Sequence, residues 1–482
     1  MNPAQASSLC RVPDSIACIV SLHRGATMTT PDGIGSAVDR FRPTFGGTLL
    51  EPAASGYDDA RKVHNGLIDK HPAVIAQCRS AEDIAAAVKF ARAEGMEIAV
   101  RGGGHNVAGR AVTNGGIMID LSLMGAVSVD PVKRIAVAEG GATWGAFNAA
   151  TQQHGLATTG GVISSTGVAG LTLGGGVGWL MGLHGMAVDN LVAAQIVTAD
   201  GSVLTCNADA NPDLFWAVRG GGGNFGIAAS LTFRLHPIGQ VIGGIVAHPL
   251  DTSAAMLRFF RETTASAPDE LSVFSGLLHA PDGSGHKIGA MIVFHPDPVA
   301  GLSAVQPVRA FGPPIMDMVG PMPYEQLNSM LDGGFPRGAL NYWKSSFLTT
   351  LTDEAIETMV ASFRECPAPL GALLLEHFHG AVTRVPVTET AFPHRSIGYN
   401  FLLIAQWFDP AQSDTCVAWA RKTYAAMQPF MASGRYVNYL GDDETGDSVA
   451  AAYGSNYARL RRVKKQYDPD NVFRLNQNIK PD

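Results

Sequence analysis

The sequence predicts an α+β protein organised as two lobes. At 482 residues, the chain is longer than one ordinary hydrophobic core supports. Its 55 glycines cluster between positions 101 and 226 and thin out after Gly239, which indicates a first lobe whose backbone is shaped around a ligand. Strand-like and helical runs then alternate, and this pattern predicts a second lobe with a mainly antiparallel sheet flanked by helices.

The composition is typical of a well-packed enzyme, with 46% hydrophobic and 16% charged residues. The net charge is −7 and no basic run occurs, so a nucleic-acid partner is not expected. No apolar run reaches about 18 residues, so no membrane span is expected. The six cysteines show neither a CxxC pair nor zinc spacing, which predicts free thiols in a reducing, cytoplasmic compartment and no metal site.

Residues 1–34 are interpreted as an N-terminal extension, for which disorder and a misassigned start before Met28 are both open. Ile16–Leu22 is apolar, but no basic segment precedes it and no cleavage signal follows it. A secretory signal is therefore not expected.

The next residues predict a strand, a helix and a second strand. Residues 73–78 favour a strand, and Ser80 begins an amphipathic helix with Asp83 three positions on. Gly95 ends this helix, and the apolar residues 97–100 form the second strand. That strand leads directly into a glycine-rich loop.

This loop contains Arg101-Gly102-Gly103-Gly104-His105. Consecutive glycines permit positive φ angles and let backbone amides approach an anion such as a pyrophosphate. The residues alone leave two interpretations open: a cofactor clamp, and a tight turn that contains a structural histidine.

Two further glycine clusters follow, at Thr158–Gly178 and at Arg219–Gly226. The second includes Gly-x-Gly-x-x-Gly, but a predicted helix precedes it and a predicted strand follows it. A dinucleotide-binding unit has the reverse order, so a Rossmann NAD site is rejected. No P-loop and no nucleophile-elbow motif occurs. The elements predicted around these clusters are strands at 116–121, 126–129, 134–139, 191–198, 203–205 and 227–235 and helices at 144–154 and 213–218.

The second half has its own periodic pattern and a distinct tail. The tail is predicted to contain a helix at 450–466, followed by the polar stretch Tyr467–Pro481. The other predicted elements are strands at 243–248, 271–278, 287–294, 372–379 and 399–408 and helices at 253–265, 354–365 and 414–431.

Four segments taken together resemble the berberine-bridge-enzyme-like branch of the vanillyl-alcohol-oxidase flavoprotein superfamily, with bacterial hydroxynicotine-oxidase-type members nearest. They are Arg101–His105, Gly170–Gly178, Arg219–Ile227 and Tyr467–Ile479. The resemblance implies a PCMH-type FAD-binding domain over residues 35–238, a substrate domain over 239–449, and a segment over 450–482 that returns to the FAD domain.

The resemblance also implies that His105 is bonded covalently to the 8α-methyl group of FAD. This chemistry is reasonable because a neutral imidazole nitrogen can attack that electrophilic position, and an alkylated flavin is a stronger oxidant. The other residues that the resemblance assigns to the cofactor are Arg101, Gly102, Gly103, Gly104, Asn106, Gly109, Thr159, Gly160, Gly161, Thr166, Gly167, Gly170, Gly174, Gly175, Gly176, Gly178, Ile227, Asn476 and Asn478.

One position departs from part of the family. Some members carry a second covalent link through a cysteine, and Ile163 occupies the matching place here. A single link through His105 is therefore expected. Thr166 falls where the family places a residue near flavin C4a, and its small side chain is permissive for reaction with oxygen.

Candidate proton acceptors lie on two segments. Tyr436–Tyr439 resembles a Tyr-x-Asn-Tyr strand of the family, and alternation along a strand would send the two tyrosines to opposite faces. Tyr439 is favoured as the base and Tyr436 is second, while two structural tyrosines remain open. Glu376 is a third candidate, and alternation separates it from His377 and His379. Either set could face the substrate, and a polar strand face without a catalytic role stays equally open.

Two neighbouring segments complete these expectations. The strand at 399–407 offers only Asn400 and Gln406 as amides and no acid, so a carboxylate base from that strand is not expected. Tyr342–Lys344 is interpreted as a structural segment between the lobes.

The sequence thus predicts an FAD-dependent oxidase that removes a hydride from an alcohol or amine carbon of a small or natural-product substrate and reduces O₂ to H₂O₂. The same step could drive an oxidative cyclisation. Two alternatives stay open: a flavin dehydrogenase that uses another acceptor, and a non-catalytic flavin-binding protein. The identity of the substrate and the oligomeric state are not readable from the sequence.

Overall fold

A computed structural model describes residues 31–280, 282–444 and 446–482. Residues 1–30, which hold most of the predicted extension, lie outside the described part. Residues 31–34 begin the helix Pro31–Phe41, and the boundary of the extension at position 34 stays a prediction. The described residues confirm the predicted α+β class, with mainly antiparallel sheets.

The first half of the chain forms two principal sheets. The strand order in the four-stranded sheet is Thr48–Leu50, Val74–Gln77, Ile117–Asp120 and Ile98–Arg101. Its last three strands are parallel, with Arg101 opposite Asp120. The five-stranded sheet is antiparallel, in the order Val127–Asp130, Ile135–Glu139, Ile227–Arg234, Leu191–Val197 and Val203–Asn207. A small ladder joins Leu156–Ala157 to His236–Pro237.

Helices cover these sheets through apolar stripes. Ser80 accepts a hydrogen bond from the Asp83 amide and begins the helix Ala81–Ala93, as predicted. Ile84 and Val88 on this helix are fully buried. The other α-helices of this half are Tyr57–Arg61, Trp144–Gln152, Val168–Leu173, Met181–His184 and Pro212–Val218.

The second half builds one large antiparallel sheet. Its order is Met316–Asp317, Gln240–Pro249, Lys287–His295, Ser272–His279, Ala372–Phe378, Gly398–Trp407 and Leu340–Leu348, and Gly320–Pro323 also pairs with Gln240–Pro249. The helices of this half are Ser253–Thr264, Ala300–Ala304, Gln306–Ala310, Tyr324–Ser329, Asp353–Arg364, Ala381–Arg384 and Ser413–Met427.

The end of the chain packs into the first half. Ile479 and Val463 belong to the same core as Trp144 and Phe233, and Phe473 joins the core around Ile84. The tail contains two α-helices, Gly446–Tyr453 and Tyr457–Tyr467, so the single helix predicted over 450–466 is wrong. The break falls at Gly454, whose φ of 47° no ordinary side chain prefers. The proposed domain boundaries at 238 and 449 stay predictions.

Candidate active site

The glycine–histidine loop follows the strand Ile98–Arg101 at one end of the parallel sheet. Arg101 does not face a cavity but forms an ion pair with the buried Asp120, with 2.9 Å between Nε and Oδ1. Gly104 and Gly109 adopt φ angles of 73° and 66°, which glycine accepts without strain. The ion pair and the glycines therefore set the path of the loop.

This loop and the second glycine cluster meet backbone to backbone. A Cβ atom on Gly103 would overlap the backbone nitrogen of Gly167, and one on Gly167 would overlap the nitrogen of Gly103. Both glycines are thus required for close approach of the two loops. The contact brings Ser165 and Thr166 next to His105.

His105 lies among polar neighbours that orient its ring. Its Nε2 is 2.8 Å from the Ser165 hydroxyl and its Nδ1 is 3.4 Å from the Thr166 hydroxyl. The ring stacks on His64, with 4.0 Å between centroids. Burial, followed by the effects of His64 and Arg337, lowers the pKa of His105 to about 3. The imidazole is consequently neutral at physiological pH.

Two connected cavities open beside this loop. The first, which we call the arginine cavity, has a volume of about 190 Å³. It is lined by Arg110, by the backbone around Gly222–Asn224, and by Ile227 and Asn476. The Arg110 guanidinium donates to the Asn476 carbonyl, while its Nε and the Asn476 Oδ1 are buried without a partner among the described residues. Buried polar atoms of this kind are suited to a bound polar ligand.

The second, the glutamate cavity, has a volume of about 240 Å³ and extends from His105 to the large sheet. Glu376 and Tyr439 are among its lining residues. The other walls are mostly apolar, and the large side chains among them are Phe274, Ile292, Leu331, Phe335, Trp343, Leu374 and Leu402.

Glu376 and Tyr439 form a hydrogen-bonded pair in this cavity. The Tyr439 hydroxyl donates to Glu376 Oε1 at 3.0 Å, and the Asn400 amide donates to Oε2 at 2.6 Å. Burial raises the pKa of Glu376 to about 7, and the two hydrogen bonds act in the opposite direction. Burial and the neighbouring carboxylate raise the pKa of Tyr439 well above its usual value. Glu376 is thus the group that can exchange a proton near neutral pH.

The second tyrosine candidate lies away from this cavity. The predicted strand at 436–439 is wrong, because residues Val437–Tyr439 form a turn of 3-10 helix. A three-residue turn places Tyr436 and Tyr439 on neighbouring sides, with their rings 4.8 Å apart. The buried Tyr436 hydroxyl accepts hydrogen bonds from the Gly176 amide and the Asn438 side chain, each at 2.9 Å. Because its hydroxyl is engaged by the protein itself, Tyr436 is assigned a structural role.

The predicted alternation on the strand Ala372–Phe378 is confirmed. Glu376 faces the glutamate cavity, whereas His377 packs near Phe260 and Tyr399 on the other side of the sheet. His377 stacks on His379, with 4.6 Å between ring centroids. The two histidines are therefore separated from the candidate site.

The predicted cofactor residues divide into two groups. Those that line a cavity are Gly102, Gly103, Gly104, His105, Asn106, Gly161, Thr166, Gly167, Gly170, Ile227 and Asn476. Those that the structure places behind the cavity walls are Arg101, Gly109, Thr159, Gly160, Gly174, Gly175, Gly176, Gly178 and Asn478. In the second group, a Cβ on Gly174 would overlap the Asn438 side chain, and one on Gly178 would overlap the Gly160 carbonyl. These glycines pack the protein against itself.

Several cavity residues were not among the predicted ones. Arg110 is a lone basic residue after the loop, and Trp343 stands in a segment interpreted as structural. No local sequence pattern predicts that these two residues line a cavity, because the cavity walls are assembled from segments that are far apart in the sequence. The glycine cluster around Gly222 gave a usable signal for the arginine cavity, since Gly222, Gly223 and Gly226 line it.

Comparisons with known proteins match both the loop region and the tail. Residues 72–207 match the family model described as an FAD binding domain, and residues 435–480 match the model described as berberine and berberine like. The (R)-6-hydroxynicotine oxidase of Paenarthrobacter nicotinovorans is 32% identical over 90% of this chain and 97% of its own length. The chain belongs to the berberine-bridge-enzyme-like family of FAD-linked oxidoreductases.

Solved structures of this family show the same fold. A crystal structure of 6-hydroxy-D-nicotine oxidase from Arthrobacter nicotinovorans superposes with a TM-score of 0.83 at 29% identity, covering 91% of this chain and 98% of that one. The xylooligosaccharide oxidase of Myceliophthora thermophila C1 superposes with a TM-score of 0.82 at 25% identity, covering 92% of this chain and 99% of that one.

The residues around both cavities fit FAD. The unpartnered Arg110 Nε and the lining glycines Gly102, Gly222 and Gly223 suit a pyrophosphate in the arginine cavity. The mostly apolar glutamate cavity beside His105 suits a ring system. Among the described residues, no cluster of three or more metal-ligating side chains occurs and no helix is long and apolar enough to cross a membrane.

Proposed function

We propose that this family member is an oxidase that holds FAD through one covalent bond from His105. It removes a hydride from an alcohol or amine carbon of a small substrate and passes the electrons to O₂, forming H₂O₂. The observation that carries the proposal is the placement of His105 and the Glu376–Tyr439 pair around one cavity.

FAD, when bound, supplies the hydride acceptor. The protein supplies the proton acceptor, because oxidation of a C–OH or C–NH group also releases a proton. Tyr439 Oη lies 3.0 Å from Glu376 Oε1, so a proton taken at either atom can pass along this bond. The Asn400 amide donates to the other carboxylate oxygen and so holds the Glu376 side chain in its orientation toward Tyr439. Most of the other walls of this cavity are apolar, which strengthens the electrostatic interactions of the pair.

Two observations support a single covalent bond. The neutral imidazole of His105 is the nucleophilic form, since burial and its cationic and imidazole neighbours lower its pKa. Ile163 lines the glutamate cavity at the position where a second link would start. The described cysteines, Cys78, Cys206, Cys366 and Cys416, are buried elsewhere and do not line it.

Acid precipitation tests the bond. We expect purified protein to give a yellow pellet, and the His105→Ala variant to release its flavin into the supernatant. Mass spectrometry of the intact protein should show the mass of one FAD per chain. A colourless wild-type pellet with FAD in the supernatant would contradict a covalent bond.

Reoxidation tests the use of oxygen. Thr166 lines the cavity with a small side chain and supports access by O₂. After anaerobic reduction, we expect mixing with air to reoxidise the flavin within seconds and to yield one H₂O₂ per flavin. Slow reoxidation in air with fast reoxidation by a quinone would instead identify a dehydrogenase. A product with a new ring would identify oxidative cyclisation.

A further inference from the structure

One wall of the glutamate cavity is a short connecting segment. Residues 331–338, which we call the outer segment, join a helix to the edge strand of the large sheet. The side chains of Leu331 and Phe335 line the cavity, whereas Gly333 and Gly334 are exposed to solvent. The outer segment therefore separates the cavity from solvent on this side.

The outer segment is anchored at both ends. Before it, the buried Asn328 side chain donates to the Gly161 carbonyl at 2.7 Å. At its other end, the Gly338 amide donates to the His64 carbonyl at 3.0 Å. Both anchors join it to the first half of the chain, so movement of the outer segment is confined to the residues between them.

Two hydrogen bonds join the middle of the outer segment to other described parts of the chain. Asp332 Oδ1 accepts from the Ser164 amide at 2.7 Å, and the Gly334 carbonyl accepts from the Gln406 side chain at 2.9 Å. A hydrogen bond to a carboxylate is stronger than one between neutral groups. The contact between Asp332 and Ser164 is therefore the main restraint on the middle.

The two adjacent glycines in the middle are not explained by packing. A Cβ atom on Gly333 or Gly334 would meet no atom within 4 Å, and neither residue has a positive φ angle. Alanine would thus fit both positions in the observed conformation. Glycine differs from alanine chiefly in its greater backbone freedom, which favours a segment that adopts a second conformation.

From these observations we propose that the outer segment is a lid. It opens to admit the substrate to the glutamate cavity, and it closes when Asp332 binds the Ser164 amide. Ser164 precedes Ser165, whose hydroxyl contacts His105, so closure joins the lid to the loop beside the proposed cofactor site. A lid of this kind serves an oxidase and a dehydrogenase equally, and it therefore goes beyond the proposed function.

A buried reporter thiol tests the opening of the lid. Leu402 lines the cavity, is 3% exposed and packs near Phe335, so the thiol of a Leu402→Cys holoenzyme meets N-ethylmaleimide only when the cavity opens. Peptide mass spectrometry reads this position separately from the native cysteines. In this background, we expect Asp332→Ala to raise the labelling rate roughly tenfold, because the closed lid loses a charged hydrogen bond.

A second variant should have the opposite effect. Gly334→Ala should lower the labelling rate about two- to fivefold, because alanine reduces the backbone freedom of the open lid. Asp297→Ala is the matched control, since that carboxylate accepts from the Val299 and Ala300 amides outside the lid and its loss should leave the rate unchanged. An unchanged rate in Asp332→Ala, or an equal rise in Asp297→Ala, overturns the proposal.

Hydrogen exchange gives the same comparison without the reporter thiol. In wild-type holoenzyme, we expect amides of residues 331–338 to exchange at least tenfold faster than those of the strand Leu340–Leu348. Asp332→Ala should speed exchange in the first group alone. Exchange of residues 331–338 as slow as that of the strand would show that this wall stays closed, and would overturn the proposal.

Discussion

Tyr436 and Tyr439 stand three positions apart and have opposite surroundings. The Tyr439 hydroxyl donates to a carboxylate that lines the glutamate cavity, whereas the Tyr436 hydroxyl accepts from the protein's own Gly176 and Asn438. Replacing each tyrosine with phenylalanine should therefore have different effects: a loss of activity at Tyr439 and a loss of stability at Tyr436.

For Tyr439→Phe, we expect the rate constant of flavin reduction to fall about 10²- to 10⁴-fold, since the hydroxyl that can relay a substrate proton to the Glu376 carboxylate is lost. Flavin content should stay unchanged. Anaerobic stopped-flow absorbance measures the reduction. Tyr436→Phe serves as the comparison: it should lower the free energy of unfolding by about 1–3 kcal/mol, because two buried donors lose their acceptor, and slow reduction less than tenfold. Equal losses of rate in both variants would contradict the assignment.

The pH dependence of flavin reduction should report Glu376. The carboxylate accepts a proton only when ionised, and its pKa is raised to about 7, so the reduction rate constant should rise through pH 7 and level off above it. Of the other titratable groups that line the cavity in the described chain, His105 has a pKa of about 3 and Tyr439 has a pKa well above 10, so neither titrates in this window. Glu376→Gln should remove the rise.

The raised pKa of Glu376 should make the protein less stable as the pH rises, whereas it makes flavin reduction faster. A carboxyl whose pKa is raised in the folded protein favours folding in its protonated form. The contribution of Glu376 to the free energy of unfolding is therefore full below its usual pKa of 4.5 and is lost as the pH rises through about 7. Thermal unfolding between pH 5 and 8 should consequently show a smaller decline in Glu376→Gln than in the wild type.

At the scale of elements, the glycines of the two loops serve two different purposes. Gly103 permits contact with the backbone of Gly167, whereas a Cβ on Gly170 would meet no protein atom within 4 Å, although Gly170 lines both cavities. A methyl group at Gly103 should thus strain the contact between the two loops. A methyl group at Gly170 should project into the cavity volume that we assign to the cofactor.

We expect Gly103→Ala to lower the free energy of unfolding by about 1–3 kcal/mol through overpacking. Gly170→Ala should leave stability of the flavin-free protein nearly unchanged and reduce flavin content. Chemical denaturation and the ratio of absorbance at 450 nm to that at 280 nm measure the two effects. Normal flavin content in Gly170→Ala would show that the cofactor does not pass this helix.

Elements with a clear periodic pattern could be predicted from the sequence. The helix at Ala81–Ala93 begins at its predicted cap, and the reversed order around Gly220–Gly226 is present as predicted. The strand Leu340–Leu348 was not predicted as one, because Lys344, Ser345 and Ser346 interrupt its apolar pattern. Lys344 is buried there through ion pairs with Asp443 and Glu444.

The site could be predicted less completely than the fold. Glycine clusters and a neighbouring histidine are local signals, and they identified the loop. The partnership of Glu376 with Tyr439 joins a strand to a 3-10 turn 63 positions away, so no local pattern contains it. Alternation could separate Glu376 from His377, but only the folded sheet shows which of them faces the cavity.

At the scale of the whole molecule, a lysine that is ion-paired within the tail also binds a backbone carbonyl of the first half. Lys464 and Asp468 are both fully buried, and the Lys464 ammonium also donates to the carbonyls of Asn224 and Phe473. Asp468 in turn accepts from the Val472 and Phe473 amides. These contacts hold the segment that delivers Asn476 to the arginine cavity.

Lys464→Met should lower the free energy of unfolding by about 3–5 kcal/mol, because Asp468 is left as a buried charge without its partner. Urea denaturation measures the loss, and flavin content should fall with it. The double variant Lys464→Met, Asp468→Asn should lose less than the sum of the two single variants. Additive losses would show that the two groups act independently.

The return of the tail has a consequence for the order of biosynthesis. Residues that complete the cores of the first half, among them Val463, Phe473 and Ile479, are synthesised after the whole of the large sheet. The large sheet between positions 240 and 407 can assemble while those cores are still open. We therefore expect the nascent chain to acquire its flavin only after the residues through Ile479 have left the ribosome, with chaperones covering the unfinished half until then.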